Sequence, residues 1–153
     1  MRVLAIDPGT RESGFVLWDG KTILDKGMRD NGALLEDIRA KVFIPYELFY
    51  AIEGFTYYGK PVGRDVFDTL IFVGRVIEAA YCPVEIVYRR DIKLFLTGTV
   101  KSKDKDVRAA LLARFGKEVT HGLAGHLWSA FSVAVYFMES YSDKINLEKK
   151  RIN

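Results

Sequence analysis

Four apolar residues, Val3-Leu4-Ala5-Ile6, run without a break into Asp7, and the chain then turns at Pro8-Gly9, where a fixed φ is followed by a permissive one. Such a run reads as a short buried strand. Ser13 to Asp19 gives a second strand, closed by the Asp19-Gly20 turn, and Thr22 to Gly27 a third. Asp-Gly between apolar runs is a hairpin signal, so the chain opens as an antiparallel meander. Asn31 to Lys41 carries Ala33, Leu34, Ile38 and Val42 at helical spacing. Leu48 to Glu53 is another buried strand that, like the first, runs apolar up to a carboxylate. Val66, Leu70, Val73 and Ile77 predict a long amphipathic helix over Arg64 to Ala80, Val84 to Tyr88 a fifth strand, and Asp91 to Leu96 a helical turn. Lys103 to Phe115 is helical, with Val107, Leu111 and Phe115 along one stripe and Gly116 as its stop. His126 to Tyr141 forms the last helix, with Ala130, Val133, Ala134 and Phe137 inward, before a polar tail. Three strands followed by alternating helices and strands predict an α/β fold, a mixed five-stranded sheet flanked by helices on both faces.

The 153 residues suit one domain, since a chain of that length buries about 68–70% of its unfolded surface. We read residues 1–142 as that domain and 143–153 as the tail. A two-lobed enzyme closing over a cleft is excluded by size, and 49% hydrophobic residues exclude a disordered chain. Cys82 is the one cysteine, which rules out an intrachain disulfide and reads as a small apolar thiol in a reducing compartment. Val66 to Tyr81, the most apolar long stretch, contains Asp68, Arg75 and Glu78, so no membrane span is expected. The amino-terminal apolar run is too short for a signal peptide, and a cytoplasmic location is expected.

The net charge of +3 conceals a division: residues 1–88 carry 10 basic and 13 acidic side chains, net −3, and residues 89–153 carry 13 and 7, net +6. Arg89, Arg90, Lys93, Lys101, Lys103, Lys105, Arg108, Arg114 and Lys117 crowd one segment, the density of a phosphate-backbone footprint. A solvated face tempered by Asp91, Asp104, Asp106 and Glu118 accounts for the same residues.

Asp7 and Glu53 both end apolar strands. If those strands are neighbours, the two acids share the sheet edge at which α/β proteins place their sites. Each acid alone would serve as a cap for the following turn. Together they repel, and a divalent cation such as Mg²⁺ relieves that repulsion with oxygen ligands. His126, at the start of the last helix, could complete such a site or simply occupy a helix start, and Ser129, three residues on, shares its face. Phe55, Tyr57 and Tyr58 follow Glu53 among Gly54, Gly59, Pro61 and Gly63. Loop aromatics beside an acid suit stacking on unpaired bases, and they equally suit packing on the long helix or a dimer contact.

Val3-Leu4-Ala5-Ile6-Asp7-Pro8-Gly9-Thr10, with Gly14 following, resembles the first strand and turn of the RuvC family of Holliday junction resolvases, in the ribonuclease H-like superfamily. Ala51-Ile52-Glu53, Val73-Gly74-Arg75, Leu96-Thr97-Gly98-Thr99 through Lys105-Asp106-Val107-Arg108, and His126-Leu127-Trp128-Ser129-Ala130 resemble the same family in order, covering nearly the whole chain. Size, and the phrase Val107-Arg108-Ala109-Ala110-Leu111 before Arg114-Phe115-Gly116, look most like the phage-encoded branch. The resemblance implies a ribonuclease H-like fold and a homodimer that cuts four-way DNA junctions by metal-dependent phosphodiester hydrolysis. It implies catalytic roles for Asp7, Glu53, His126 and Ser129, with Asp7, Glu53 and His126 binding Mg²⁺ or Mn²⁺, two ions per site about 3.5–4 Å apart. On this reading Asp7 bridges the ions, Glu53 holds the one nearer the nucleophile, and His126 ligates or orients the other. Phe55, Tyr57, Tyr58, Arg89, Arg90, Lys101, Lys103, Lys105 and Arg108 would meet DNA.

Two positions depart from the family pattern. Ser129 stands where cellular members carry Asp, and a neutral hydroxyl holds a second metal weakly. Either this branch works without the fourth acid, or a carboxylate such as Asp65 or Asp104 takes its place, or the position was altered to disable cleavage. Asp104 in turn aligns with a family lysine thought to stabilise developing charge, with Lys103 and Lys105 flanking it. The alternative function is therefore a junction-binding protein with weak or disabled cleavage. A sugar-kinase or actin-like phosphotransferase, suggested by Asp7-Pro8-Gly9-Thr10, lacks the second lobe, and a general ribonuclease H remains a third class.

Overall fold

A computed structural model of the protein describes residues 1–43 and 48–152, and of residues 142–152 the backbone course. Its elements are β1 (Arg2–Asp7), β2 (Glu12–Trp18), β3 (Ile23–Asp30), α1 (Asn31–Arg39), β4 (Leu48–Gly54), α2 (Arg64–Ala79), β5 (Val84–Tyr88), α3 (Arg89–Thr97), α4 (Asp104–Val119) and α5 (His126–Ile152). The strands form one sheet in the order β3-β2-β1-β4-β5. The opening meander is antiparallel, and β1–β4 and β4–β5 pair in parallel, so the expected mixed sheet is present.

Alternation along β1 explains its unbroken apolar sequence. Val3 and Ala5 belong to a core cluster shared with Ala130, Phe131 and Ala134 of α5, whereas Leu4 and Ile6 belong to a second cluster with Leu34 and Ile38 of α1 and Val73 and Val76 of α2. All four β1 residues are fully buried. A strand covered on both sides has no polar face, and each large aliphatic side chain it buries contributes about 1.5–3 kcal/mol. Small residues, Ala5, Ala51, Ala130 and Ala134, populate the cluster on the α5 side.

Four expectations need correction. The α2 face is rotated: Phe72, Val73 and Val76 are buried, whereas Leu70 and Ile77, expected inward, are exposed. The helix is apolar on more than one side, so periodicity alone does not orient it. The turn at Asp91 to Leu96 is part of a nine-residue helix, α3, ended by Gly98 in the left-handed region at φ 76°. Gly116, expected as a stop, adopts φ 76° and ψ 170° and kinks α4, whose last turn continues to Val119. Beyond Tyr141 the chain stays helical to Ile152, since Lys144, Leu147, Glu148, Lys149, Lys150 and Arg151 are good helix formers without an intervening Gly or Pro. Asn153 lies outside the described residues. Cys82 is partly buried and its thiol reaches the Leu48 carbonyl at 3.1 Å. Among the described residues no helix is long and apolar enough to cross a membrane.

Candidate active site

The alternation that buries β1 and β4 also aims their last acids. Val3 and Ala5 face α5, so Asp7, two residues on, follows them; Phe49 and Ala51 do the same on β4, and Glu53 follows. With Ile6 paired to Ile52 in parallel register, Asp7 and Glu53 stand side by side at the carboxyl edge of adjoining strands. Both are largely buried, with side chains 13% and 17% exposed.

The turn after Asp7 is locked by side chains. The Gly9 N–H donates to Ser13 Oγ at 3.2 Å, the Ser13 hydroxyl donates to Asn31 Oδ1 at 2.7 Å, and Asn31 Nδ2 donates back to the Gly9 carbonyl at 2.9 Å. Gly9 itself is required, because a Cβ there would collide with the Glu12 carbonyl. Opposite Asp7 on β2 lies Gly14, and a Cβ at that position would come within 3.1 Å of both Cβ and the carbonyl oxygen of His126. The missing side chain lets α5 begin directly over the end of β1. His126 Nδ1 thereby reaches Asp7 Oδ2 at 2.7 Å, and Ser129, one turn along, lies near enough to help hold the Asp7 pKa down.

Burial raises the Asp7 carboxyl above its ordinary range, opposed by the hydrogen bond and charge of His126, then by Arg89 and by Ser129. Glu53 is pushed up to about 7, first by burial and then by the Asp7 charge, with Arg89 pulling the other way. Burial and their mutual repulsion therefore make it costly to ionise both neighbouring acids at once. Arg89, the first residue of α3, lies where β5 ends beside β4. Its Nε is 4.0 Å from Glu53 Oε1, its Nη2 donates to Asp104 Oδ1 at 2.6 Å, and its Nη1 donates to Ser132 Oγ at 3.1 Å.

The expected site residues fall into three groups. Asp7, Glu53, His126 and Ser129 come together. Arg89, Lys105 and Arg108 line a cavity of about 440 Å³ that His126, Ser129 and Trp128 also line. Phe55, Tyr57 and Tyr58 are exposed and share a separate cavity of about 400 Å³ with Tyr88 and Arg90. Lys101 and Lys103 are exposed at the approach to α4, where the Lys103 N–H donates to Asp106 Oδ2 at 2.7 Å. Of the two candidates for a fourth acid, Asp104 is held by Arg89, and Asp65 lines a cavity with Thr10 and Phe55 rather than with the acids. Tyr88, Trp128 and Ser132 were not anticipated. Tyr88 had a signal, since it ends the strand next to β4 and so belongs to the same sheet edge.

The donor chemistry fits a hard divalent cation: two buried carboxyl groups that repel when both are ionised, with an imidazole beside them. Among the described residues no three His, Cys, Asp or Glu side chains stand close enough together to hold an ion as they lie.

No family model matches the chain, and no curated protein matches it. Solved structures do. A Thermus thermophilus RuvC in complex with Holliday junction substrate superposes with a TM-score of 0.69 at 20% identity, covering 90% of this chain and 93% of that one. Another T. thermophilus RuvC structure gives the same TM-score and identity over 92% of this chain and 96% of that one. The architecture is the ribonuclease H-like α/β fold, shared with RuvC over most of both chains.

Proposed function

We propose that this chain is an endonuclease that resolves four-way DNA junctions by divalent-metal-dependent phosphodiester hydrolysis, as a homodimer that nicks two strands. The observation that carries this reading is the pair Asp7 and Glu53 at the carboxyl edge of adjoining parallel strands, with α5 delivering His126 and Ser129 onto Asp7. It stands within a fold shared with a RuvC described on a Holliday junction substrate. Residues 1–142 are the working domain and the cytoplasm its place of action, a host cell's if the chain is phage-encoded.

Asp7, Glu53 and His126 would hold Mg²⁺ or Mn²⁺, which when bound neutralises phosphate charge and lowers the pKa of water. The chain's own groups do the rest. His126 fixes the Asp7 carboxylate by the hydrogen bond at Nδ1, with Ser129 beside it, and the cations along the neighbouring cavity, Lys105 and Arg108, attract the phosphate backbone. Water adds to phosphorus as a P–O bond breaks; one proton leaves the water and one reaches the departing oxygen. Phe55, Tyr57 and Tyr58, exposed beside Glu53, offer faces on which opened bases stack, worth about 1–3 kcal/mol each.

Homodimerisation is supported by α2. Phe67, Leu70, Ile71 and Ile77 are exposed on it, and a side chain at Gly74 would meet open space, so the helix presents an apolar stripe with a small residue within it. A second copy covering this stripe would sit beside the acids, because Leu70 also lines a cavity with Asp7 and Glu53.

The test is cleavage of a four-way junction with Mg²⁺ or Mn²⁺, with nick positions mapped, against linear duplex and RNA–DNA hybrid. Paired nicks on the junction, abolished by Asp7→Asn with junction affinity kept within a few fold, are the expected result. Tight binding without nicking would favour the second reading, a junction-binding protein disabled by Ser129, whose hydroxyl gives Asp7 a neutral partner in place of an acid. Preferential cutting of hybrid would favour a ribonuclease H.

A further inference from the structure

Arg89 has an unusual setting for a nucleic-acid-binding arginine. Its side chain is only 20% exposed, yet one of its partners, Asp104, is 80% exposed. The other partners are internal. Ser132, which accepts from Nη1, is fully buried and its hydroxyl donates to the Ser129 carbonyl at 2.7 Å, tying the guanidinium to the turn of α5 that carries the site. Glu53 lies at 4.0 Å on the other side. The guanidinium is thus anchored from β4 and α5, while its contact toward solvent is a surface carboxylate on the first residue of α4.

Their common cavity is built for an anion. Arg89, Lys105, Arg108, His126 and Trp128 line it, and Asp104 is the one acid among its lining residues. Arg108 lies over the Trp128 ring at 4.8 Å. Asp104 takes a single donor of the guanidinium, Nη2, and an anionic phosphate oxygen can accept from that same N–H in its place.

We propose that Arg89 is a catalytic residue of this site, its guanidinium binding a non-bridging oxygen of the phosphate to be cleaved and giving up the Asp104 carboxylate to do so. The assignment rests on the nuclease reading above. The guanidinium is held in place before substrate arrives, so little reorganisation opposes its action on the charge that develops at phosphorus. The exchange leaves Asp104 in water, where an exposed carboxylate is readily solvated. The Ser132 and Glu53 contacts keep the cation beside the acids throughout.

The experiment is single-turnover junction cleavage with enzyme saturating, alongside junction affinity, for the wild-type chain, Arg89→Ala, Arg89→Lys and Asp104→Asn. Arg89→Ala is expected to cut the saturated rate by about 10²–10³, as loss of one preorganised donor does, with affinity changed only a few fold. Arg89→Lys should restore part of the rate, since it returns the charge without the fork. Asp104→Asn, which removes the competing carboxylate, should raise the rate several fold. A wild-type rate in Arg89→Ala, or a loss confined to affinity, overturns the assignment while leaving the nuclease reading standing. A large loss in Asp104→Asn would make that residue a ligand and overturn the exchange. A wild-type chain that nicks no DNA overturns both.

Discussion

Gly14 shows how a residue with no side chain can govern a site. It faces Asp7 across β1 and β2 and leaves room for the backbone of His126. Gly14→Ala would place a methyl 3.1 Å from His126 Cβ and carbonyl, and the start of α5 must give by a few tenths of an ångström. We expect a stability loss of about 1–3 kcal/mol, the range for overpacking, and a fall in cleavage of about 10- to 100-fold because the Asp7–His126 contact loosens. A variant with wild-type Tm and rate would show that α5 has slack there. Glu53 makes a second prediction, on pH. Burial and the Asp7 charge raise it from 4.5 to about 7 in the folded chain, in surroundings that also include Arg89, Asp104 and His126. A folded pKa above the unfolded one means stability that is fully present below pH 4.5 and lost as pH rises through about 7. Asp7 is shifted in the same direction. Without metal, the Tm should therefore fall between pH 5 and pH 8, and Glu53→Gln should flatten the upper part of that fall. A Tm that rises over this interval in chelator would contradict the placement of the acids. The acids were legible in the sequence because polar residues rarely end an otherwise apolar strand without a purpose. Arg89 was legible only as a charge, since its partners lie 36, 15 and 43 positions away in the chain and only the fold joins them.

At the scale of elements, β1 and β5 were read to the residue and β2 and β4 to within one, whereas β3 runs on to Asp30, three residues past its expected end at Gly27, and α2 is rotated from the face expected. Strand periodicity leaves two choices, both filled by apolar residues in β1, and burial on both sides makes the choice immaterial. A helix such as α2, with Val66, Phe67, Leu70, Ile71, Phe72, Val73, Val76 and Ile77, has more apolar surface than one sheet can cover. The sheet takes Phe72, Val73 and Val76, and the remainder forms the exposed stripe. If a second copy covers it, Ile71→Asp, at an exposed position, should convert the dimer to monomer in sedimentation at micromolar concentration without lowering the monomer's own Tm. Paired junction cleavage should then fall to single nicks. An unchanged dimer would place the contact elsewhere.

At the scale of the molecule, the charge division acquires a geometry. The acidic front half supplies Asp7 and Glu53, and the basic back half supplies Arg89, Lys105 and Arg108 to the adjoining cavity, with Arg90, Lys101 and Lys103 exposed beyond it. A net charge of +3 would steer DNA weakly; the cations gathered at this cavity concentrate the attraction where the phosphates of the proposed substrate would arrive. If these side chains contact phosphates, each releases counterions on binding, and log Kd for a junction varies with log salt by about 0.9 per contact. Removing Lys101 and Lys103 together should lower that slope by roughly 2 and weaken binding alike for junctions of different sequence, because phosphate contacts carry no base identity. Phe55→Ala or Tyr58→Ala should instead weaken junction binding with the slope intact, since stacking releases no counterions. Titrations across a range of salt separate the two. A Lys101/Lys103 variant with the wild-type slope would move the DNA path off the approach to α4, and an aromatic variant that changed the slope would mean that the loop positions a cation rather than a base.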